Sequence, residues 1–424
     1  MADISARIAI LGAGPIGLET ALYARYLGFQ VEVLELSESV AANVVHWGHV
    51  QLFTPFGMNA SPLGVAAVRA HDVQLPAANE LLTGADYQQR YLQPLAASDL
   101  LVDTLRFDTK VLGIGRRGWL KQEGVGNPRR ADTPFHLLCC NAVGKQWIHE
   151  AEIVIDCTGT YGNHNWIGQG GIPAVGELVA AEHIEYGIPD IQGRDRNKYL
   201  GRHTLVVGSG YSAATTVTQL VRLSDEQPEV PTQVTWATRR RRDCLPIDRI
   251  VDDRLPNRDR LAEEANCLAA ASSGCLSYLA ETEIVALVYR EATDDFEVEF
   301  CGPRAGSHMF DRVVANVGYR PDNRIYAELH VHECFASGGP MKLAAQMLAT
   351  RNPDTATDCL DQQSCGAQSL LNPEPNLYIL GCKSYGRSSQ FLLSVGFQQI
   401  RDLFTVIAER DDLDLYATMP QLAK

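Results

Sequence analysis

Residues 7–36, RIAILGAGPIGLETALYARYLGFQVEVLEL, decide the fold. After Arg7 the run to Leu11 is continuously apolar, the pattern of a parallel strand buried on both faces. The turn Gly12-Ala-Gly14-Pro15-Ile-Gly17 follows. Ile16, Leu18, Leu22 and Leu27 then recur at helical intervals until Gly28 stops them. Val31 to Leu36 is a second strand. In such a unit the first glycine allows the tight turn, the second lets backbone approach a diphosphate, and the third lets helix and strand pack closely. The helix N-terminus offers free amides and a positive dipole end to the phosphates. Glu35 ends the second strand, eighteen residues after Gly17, where a carboxylate accepts hydrogen bonds from ribose hydroxyls.

A second unit of the same kind begins about 196 positions later and is the only internal repeat. Thr204–Val207 is its strand, Gly208-Ser209-Gly210-Tyr-Ser212-Ala213 its turn, Ser212–Leu223 its helix and Val234–Thr238 its next strand. Ala213 stands in the third glycine position, an allowed variant. No acid ends the second strand; Arg239-Arg240-Arg241-Arg242 follows instead. An acid there selects NAD through the ribose 2′-hydroxyl, whereas an arginine favours the 2′-phosphate of NADP through charge-assisted hydrogen bonds. Arg239 and Arg240 are the candidates. The run also reads as a solvated charged turn or, by composition alone, as a nuclear-localisation signal.

Working outward, residues 37–75 read as loop and 84–97 as a helix. Strands are expected near 105–114, 135–140 and 153–157, with a helix-like stretch at 258–270. Further strands are expected near 283–289, 296–300, 312–316 and 377–380, and a last helix at 390–407. Residues 335–372 carry weak signals and are a candidate substrate or homodimer surface. The 424 residues suffice for two or three domains. A net charge of −14 argues against nucleic acid or anionic membrane as partner. No apolar run approaches the ~20 residues of a membrane span. With a strand starting at Arg7, no leader is expected and the location expected is cytoplasmic. The 11 cysteines show no C-x-x-C, which fits free thiols in a reducing compartment. Cys359 and Cys365 flank a polar loop, either as two surface thiols or as a redox pair. His46 with His49, and His332 with Cys334, lack partners at metal-ligand spacing, so no metal is expected.

The N-terminal turn resembles the FAD site of two-dinucleotide-domain flavoproteins, and two later segments strengthen the resemblance. Ile153-Val-Ile-Asp-Cys-Thr158-Gly159 is similar to the strand-then-Thr-Gly segment beside the FAD diphosphate. Asn376-Leu-Tyr-Ile-Leu-Gly381-Cys382 is similar to the late strand that approaches the flavin, although the family has Gly-Asp there. The resemblance implies an α/β fold of two Rossmann-like domains. An FAD domain would be discontinuous (1–172 and 317–424), with an NADPH domain between (173–316). It implies Val111, Thr158, Gly159, Gly381 and Cys382 as further FAD-side residues. A helix after Arg387, capped by Ser388 or Ser389, would point at the flavin.

Residues 36–75 hold no cysteine, so a dithiol beside the flavin is disfavoured. Over most of its length the chain resembles flavin monooxygenases, in which a flavin C4a-(hydro)peroxide oxygenates a nucleophilic nitrogen, sulfur or other soft atom of a small molecule, with dioxygen as co-substrate. Val317-Gly318-Tyr-Arg320-Pro-Asp322 resembles their return segment into the FAD domain. Their F-x-G-x-x-x-H fingerprint is not kept: Gly176, His183 and Tyr186 occur at other spacings. Trp47, His49, Phe53, Thr54 and Asn59, with Ser384-Tyr385-Gly386-Arg387, are substrate-side candidates. Of these, Trp47 and Phe53 would wall the flavin, Asn59 would hydrogen-bond an oxygen on it, and Arg387 would bind an anion. Core packing is the competing reading of the aromatics. Two other functions stay open: a reductase passing electrons to an acceptor without oxygen insertion, and a non-catalytic nucleotide sensor.

Overall fold

The computed structural model describes residues 6–271, 274–350 and 358–419. The chain divides into two units, the first joining Met1–Asn163 to Arg320–Lys424, the second being His164–Tyr319. The expected junctions, 172/173 and 316/317, both fall a few residues inside the second unit, which is longer at each end. The reason is local: His164 and Tyr319 form a bridge, and the Asn165 N–H donates to Gly318 O at 2.9 Å, closing the unit there.

The first unit holds β1 (Arg7–Leu11), β2 (Gln30–Leu34), β3 (Leu105–Arg106), β4 (Lys110–Arg116), β5 (Phe135–Cys140), β6 (Gln146–Ala151), β7 (Ile153–Asp156) and, after the second unit, β15 (Leu377–Ile379). Five of them form an all-parallel sheet in the order β15-β7-β1-β2-β3, and β4-β5-β6 form an antiparallel one. Ile10 pairs with Val33 on one side and Ile155 on the other, so the chain order reverses at β1. A crevice at the strands' carboxyl ends is the ligand position of such sheets. Helix Pro15–Tyr26 starts on Gly14, with proline where its missing N–H costs nothing. Its Leu18, Leu22 and Tyr23 share a core with Ile400, Leu403 and Phe404 of helix Leu393–Ile407.

The second unit holds β8 (His203–Val207), β9 (Gln233–Ala237), β10 (Leu276–Leu279), β11 (Glu283–Arg290), β12 (Asp295–Cys301), β13 (Gly306–Phe310) and β14 (Arg312–Ala315). The parallel sheet runs β10-β9-β8-β14, reversing at β8, and β11-β12-β13 are antiparallel. Helices Tyr211–Glu226 and Pro256–Ala271 share a core of Val217, Leu220, Ala262 and Ala265.

Several expectations need correction. The stretch read as loop at 37–75 contains helices Ala42–His46, Phe56–Asn59 and Pro62–Arg69, the first two too short to show a period. The helix expected at 84–97 starts on a Thr83–Asp86 capping box and carries a π turn at Gln88–Leu92. The 105–114 strand splits into β3 and β4. Helix Met341–Thr350 lies inside the segment thought weak, of which residues 351–357 lie outside the described residues.

One helical side chain is not explained by periodicity. Glu19 is buried on the inner face of helix Pro15–Tyr26. Its Oε1 accepts from Ser61 Oγ at 2.6 Å. The buried Tyr416 hydroxyl also hydrogen-bonds the Glu19 carboxyl. Burial pushes the carboxyl up to about 7, against the Ser61 and Tyr416 hydrogen bonds that lower it. The other titratable groups around it, Tyr23, Tyr26, Tyr87, Tyr91 and Tyr416, are neutral below pH 8 and are themselves raised, chiefly by burial. A raised carboxyl binds its proton more tightly when folded. Its stabilisation is therefore full below about pH 4.5 and is lost as pH rises through 7. Glu19→Gln removes that loss. Across pH 5 to 8 the variant should gain up to about 3 kcal/mol relative to wild type. Urea titrations at several pH values check this, and parallel stability profiles would refute it.

Candidate functional site

In the first unit the turns after β1, β7 and β15 lie side by side at the carboxyl edge of the sheet. Gly12 has φ +94°, and a Cβ there would stand 3.1 Å from Cys157 O and 3.2 Å from Thr158 Cα. A Cβ on Gly17 would stand 1.9 Å from Gly12 O, so the third glycine is required by helix–turn contact. Gly14 differs from both: a Cβ on it would meet nothing within 4 Å. The first helical bond is Leu18 N–H to Gly14 O, which leaves the Ile16 and Gly17 amides ahead of it without an intrahelical acceptor. Open space over Gly14 beside those amides fits a diphosphate. Glu35 Oε2 accepts from Ala13 N at 2.6 Å and Oε1 from Ser37 N at 2.9 Å, so the carboxylate is oriented by the turn it would serve. Val111 follows Thr109, whose N–H bonds Glu35 O at 2.8 Å, and its side chain packs on the β4–β6 core.

The Thr158 and Gly381 segments are built differently from expectation. Thr158 N and Oγ1 both donate to Asp156 Oδ1, at 2.8 and 2.7 Å. They are thus held within the turn rather than offered to a ligand. Gly159 has φ +71° and faces Cys382, whose Sγ would lie 3.4 Å from an added Cβ. Gly381 has φ +72°; its N–H donates to Gln399 Oε1 at 3.0 Å, and Gln399 Nε2 donates to Ser384 Oγ at 3.0 Å. The helix expected after Arg387 starts only at Leu393, with Leu392 as its cap and no side-chain cap hydrogen bond, so neither Ser388 nor Ser389 caps it. Burial pushes both the Cys157 and Cys382 thiols up. Among the described residues no disulfide joins two cysteines, and the Cys365 thiol is pushed up by burial.

The substrate-side candidates divide. Asn59 is buried; its carbonyl oxygen accepts from Thr54 Oγ1 at 2.9 Å and its amide donates to Thr54 O (3.0 Å) and Pro55 O (3.3 Å). With both amide hydrogens committed, Asn59 braces its own loop and does not present a donor. Ser384 and Tyr385 are buried, and Gly386 packs so closely on Ser337 O that an added Cβ would stand 2.3 Å away. Arg387 is exposed, its backbone N–H bonded to Ser337 O at 2.8 Å. Trp47 lies at a 40° tilt to Tyr161, ring centroids 6.3 Å apart, over Gly84. Trp47 Nε1 and His49 Nε2 are buried atoms without partners among the described residues. Trp47 therefore remains a candidate and Asn59 does not.

In the second unit Gly208 has φ +142°, and a Cβ there would stand 2.2 Å from Asn316 O, while a Cβ on Gly210 would meet nothing within 4 Å. Ala213 is fully buried at the third position, and the helix bonds begin with Ala214 N–H to Gly210 O at 3.1 Å. Ser209 and Gly210 are exposed, Ser212 half-buried. Trp236 Nε1 donates to Gly208 O at 2.8 Å and stiffens the turn. The arginine run is not uniform. Arg240 holds Asp248 with both guanidinium ends and Leu245 O at 3.1 Å, and Arg241 pairs with Asp243. Arg240 thus clips the following loop, contrary to its expected cofactor role. Arg239 is exposed and makes no ion pair among the described residues. Of the three residues left from the lost fingerprint, Gly176 has φ +86° against Leu287 O, His183 stacks on Tyr289, and the Tyr186 hydroxyl donates to Glu177 Oε1 at 2.8 Å; all three build the unit's own packing.

Sequence reasoning missed Lys383, Gln399 and Glu374, because nothing near them in the chain names their partners. Among the described residues there is no metal-ligating cluster, and no helix is long and apolar enough to cross a membrane.

No family model matches this chain. No curated protein matches it in sequence. Solved structures do. The bacillithiol disulfide reductase Bdr of Bacillus cereus is 16% identical with a TM-score of 0.67, over 96% of this chain and 100% of that one. The Kutzneria ornithine N-hydroxylase, solved with reduced FAD, NADP⁺ and L-ornithine, is 15% identical (TM-score 0.62) over 96% of this chain and 100% of its own. The FAD-bound cadaverine monooxygenase DfoA of Erwinia amylovora is 14% identical (TM-score 0.61) over 99% of both. The expected α/β fold of two Rossmann-like units is therefore the fold these solved structures share with the chain.

Proposed function

We propose that this chain is an FAD- and NADPH-dependent oxidoreductase, and within that class a monooxygenase that transfers one oxygen atom of dioxygen to a nucleophilic nitrogen, sulfur or other soft atom of a small molecule. The observation that carries the reading is the pair of helix-opening glycine turns, each at a chain-order reversal and each with open space over its middle glycine. FAD, when bound, takes a hydride from NADPH and activates dioxygen. The chain's own residues supply the rest. The Ile16 and Gly17 amides meet the FAD diphosphate, Glu35 its ribose hydroxyls, the amides ahead of Ala214 the NADPH diphosphate, and Arg239 the 2′-phosphate.

The disulfide-reductase likeness keeps the competing reading in view, but the thiols near the first crevice argue against an internal dithiol. Cys157 and Cys382 are pushed up by burial, the reverse of what a reactive thiolate needs. Turnover with NADPH under ¹⁸O₂ and a panel of primary amines and thioethers separates the two. The proposal expects ¹⁸O in an organic product, near one atom per NADPH consumed. Anaerobic NADPH oxidation by a disulfide or quinone, with no label in any organic product and any ¹⁸O appearing only in hydrogen peroxide, would support the reductase.

Coenzyme choice rests on Arg239. A hydrogen bond to a charged group is worth about 1.5–3 kcal/mol, so Arg239→Ala should weaken NADPH by roughly 10- to 100-fold and leave NADH nearly unchanged. Arg240→Ala should instead loosen the 240–248 loop. Equal losses for both coenzymes in Arg239→Ala would remove the 2′-phosphate assignment.

A further inference from the structure

Lys383 is only 2% exposed, yet its amino group is paired inside the first unit. Nζ donates to Asp156 Oδ2 at 2.6 Å and to the Thr158 hydroxyl at 3.1 Å. Asp156, itself fully buried, ends β7. Its Oδ1 takes the Thr158 N–H and hydroxyl, and the Tyr326 hydroxyl donates to Oδ2 beside Lys383. The Lys383 ammonium also lies 4.9 Å from the Tyr326 ring centroid. Four donors on one carboxylate leave it fully satisfied.

Such a pair is a poor choice for stability alone. Taking two ions out of water costs several kcal/mol each, and well-packed apolar residues of similar volume often hold a core as well or better. Its position suggests another use. Asp156 belongs to the turn after β7 and Lys383 to the turn after β15, 227 residues apart in sequence. The first turn touches Gly12 through Cys157 O and Thr158 Cα; the second rests on Ile16, which lies 3.4 Å from a Cβ built on Gly381. Between them Gly159 faces Cys382. The polar bond thus ties together the two turns that border the Gly12–Gly17 turn. Gln399, bonded to the Gly381 N–H, holds the same turn from the helix side.

We propose that the Lys383–Asp156 pair is a positioning clasp for the FAD crevice, holding the Thr158-Gly159 and Gly381-Cys382 turns against the Gly12–Gly17 turn in the geometry the dinucleotide meets. This rests on the FAD reading above. Neither side chain contacts the cofactor in this account; each acts through the backbone of its turn. Removing one partner alone would strand a buried charge and confuse folding with binding. The informative variant is the neutral double replacement Asp156→Asn with Lys383→Met in the full chain, beside Tyr326→Phe, which leaves the Lys–Asp bond in place.

The measurements are the FAD Kd by flavin fluorescence, the visible spectrum of the bound flavin, and the urea midpoint of the FAD-free chain. The double variant should keep the wild-type midpoint while its Kd rises at least tenfold and its spectrum moves toward free FAD. Tyr326→Phe should keep both Kd and spectrum. A double variant with wild-type Kd and spectrum overturns the clasp, and so does one that cannot fold, since the pair would then serve the fold and not the crevice. A wild-type chain that takes up no FAD sinks the underlying reading instead, and the wild-type arm shows that before any variant is compared.

Discussion

Replacing Glu374 by alanine is expected to cost about 3–5 kcal/mol of folding stability, enough to unfold a marginal protein. Glu374 lies just before β15 with its carboxylate buried between two buried arginines. Arg116 Nε reaches Oε1 at 3.0 Å, Arg130 reaches Oε2 at 2.7 Å, and the His330 N–H donates to Oε2 at 3.0 Å. Arg116 also stacks 3.5 Å over the Phe135 ring and donates to Thr133 O at 2.7 Å and to Pro375 O. Burial alone would raise the Glu374 carboxyl, but the Arg130 and His330 hydrogen bonds and the two positive charges outweigh it and hold it low. Its contribution is therefore present above the ordinary carboxylate range and is lost as pH falls through its depressed value. Without the carboxylate, two guanidinium groups stay buried with no counter-charge. Urea unfolding of Glu374→Ala at pH 7 measures the loss. A change below about 1 kcal/mol would mean that the arginines find solvent or other partners, and that the triad is not what fixes β4 to the start of β15.

The second large effect separates folding from binding. A side chain at Gly14 points into open space, whereas one at Gly17 would collide with Gly12 O. Gly14→Val should therefore fold with a near-native urea midpoint and lose FAD on the order of 100-fold or more, about 2.7 kcal/mol or greater. Gly17→Val should fail at both. If Gly14→Val kept wild-type FAD affinity, the space over that turn would not be the diphosphate position.

The two glycine turns were legible because their chemistry is local. Gly12, Gly14 and Gly17 act within one turn and one strand–helix contact, and the apolar runs around them have a period a single sequence reveals. The corrections fall where a side chain's partner, near or distant, is set by the path of the loop and not by a repeat in the sequence. Asn59 reads as a free amide until Thr54 and Pro55 are seen to consume both its hydrogens. Arg240 and Arg239 look equivalent in sequence, and only the loop that returns with Asp248 tells them apart. Lys383 has nothing beside it in the chain that names its partner, and its meaning depends on Asp156 far upstream. Glu374 pairs with Arg116 across 258 residues. Short elements escaped for a different reason: helices Ala42–His46 and Phe56–Asn59 are stabilised by packing, not by a readable repeat.

Flavin content of the purified 424-residue chain tests most directly whether FAD occupies the Gly12–Gly17 crevice. About one FAD per chain is expected, released by denaturation and regained on refolding, with Gly14→Val folded and colourless beside it. A wild-type chain that folds but stays colourless in excess FAD would contradict the account at its root.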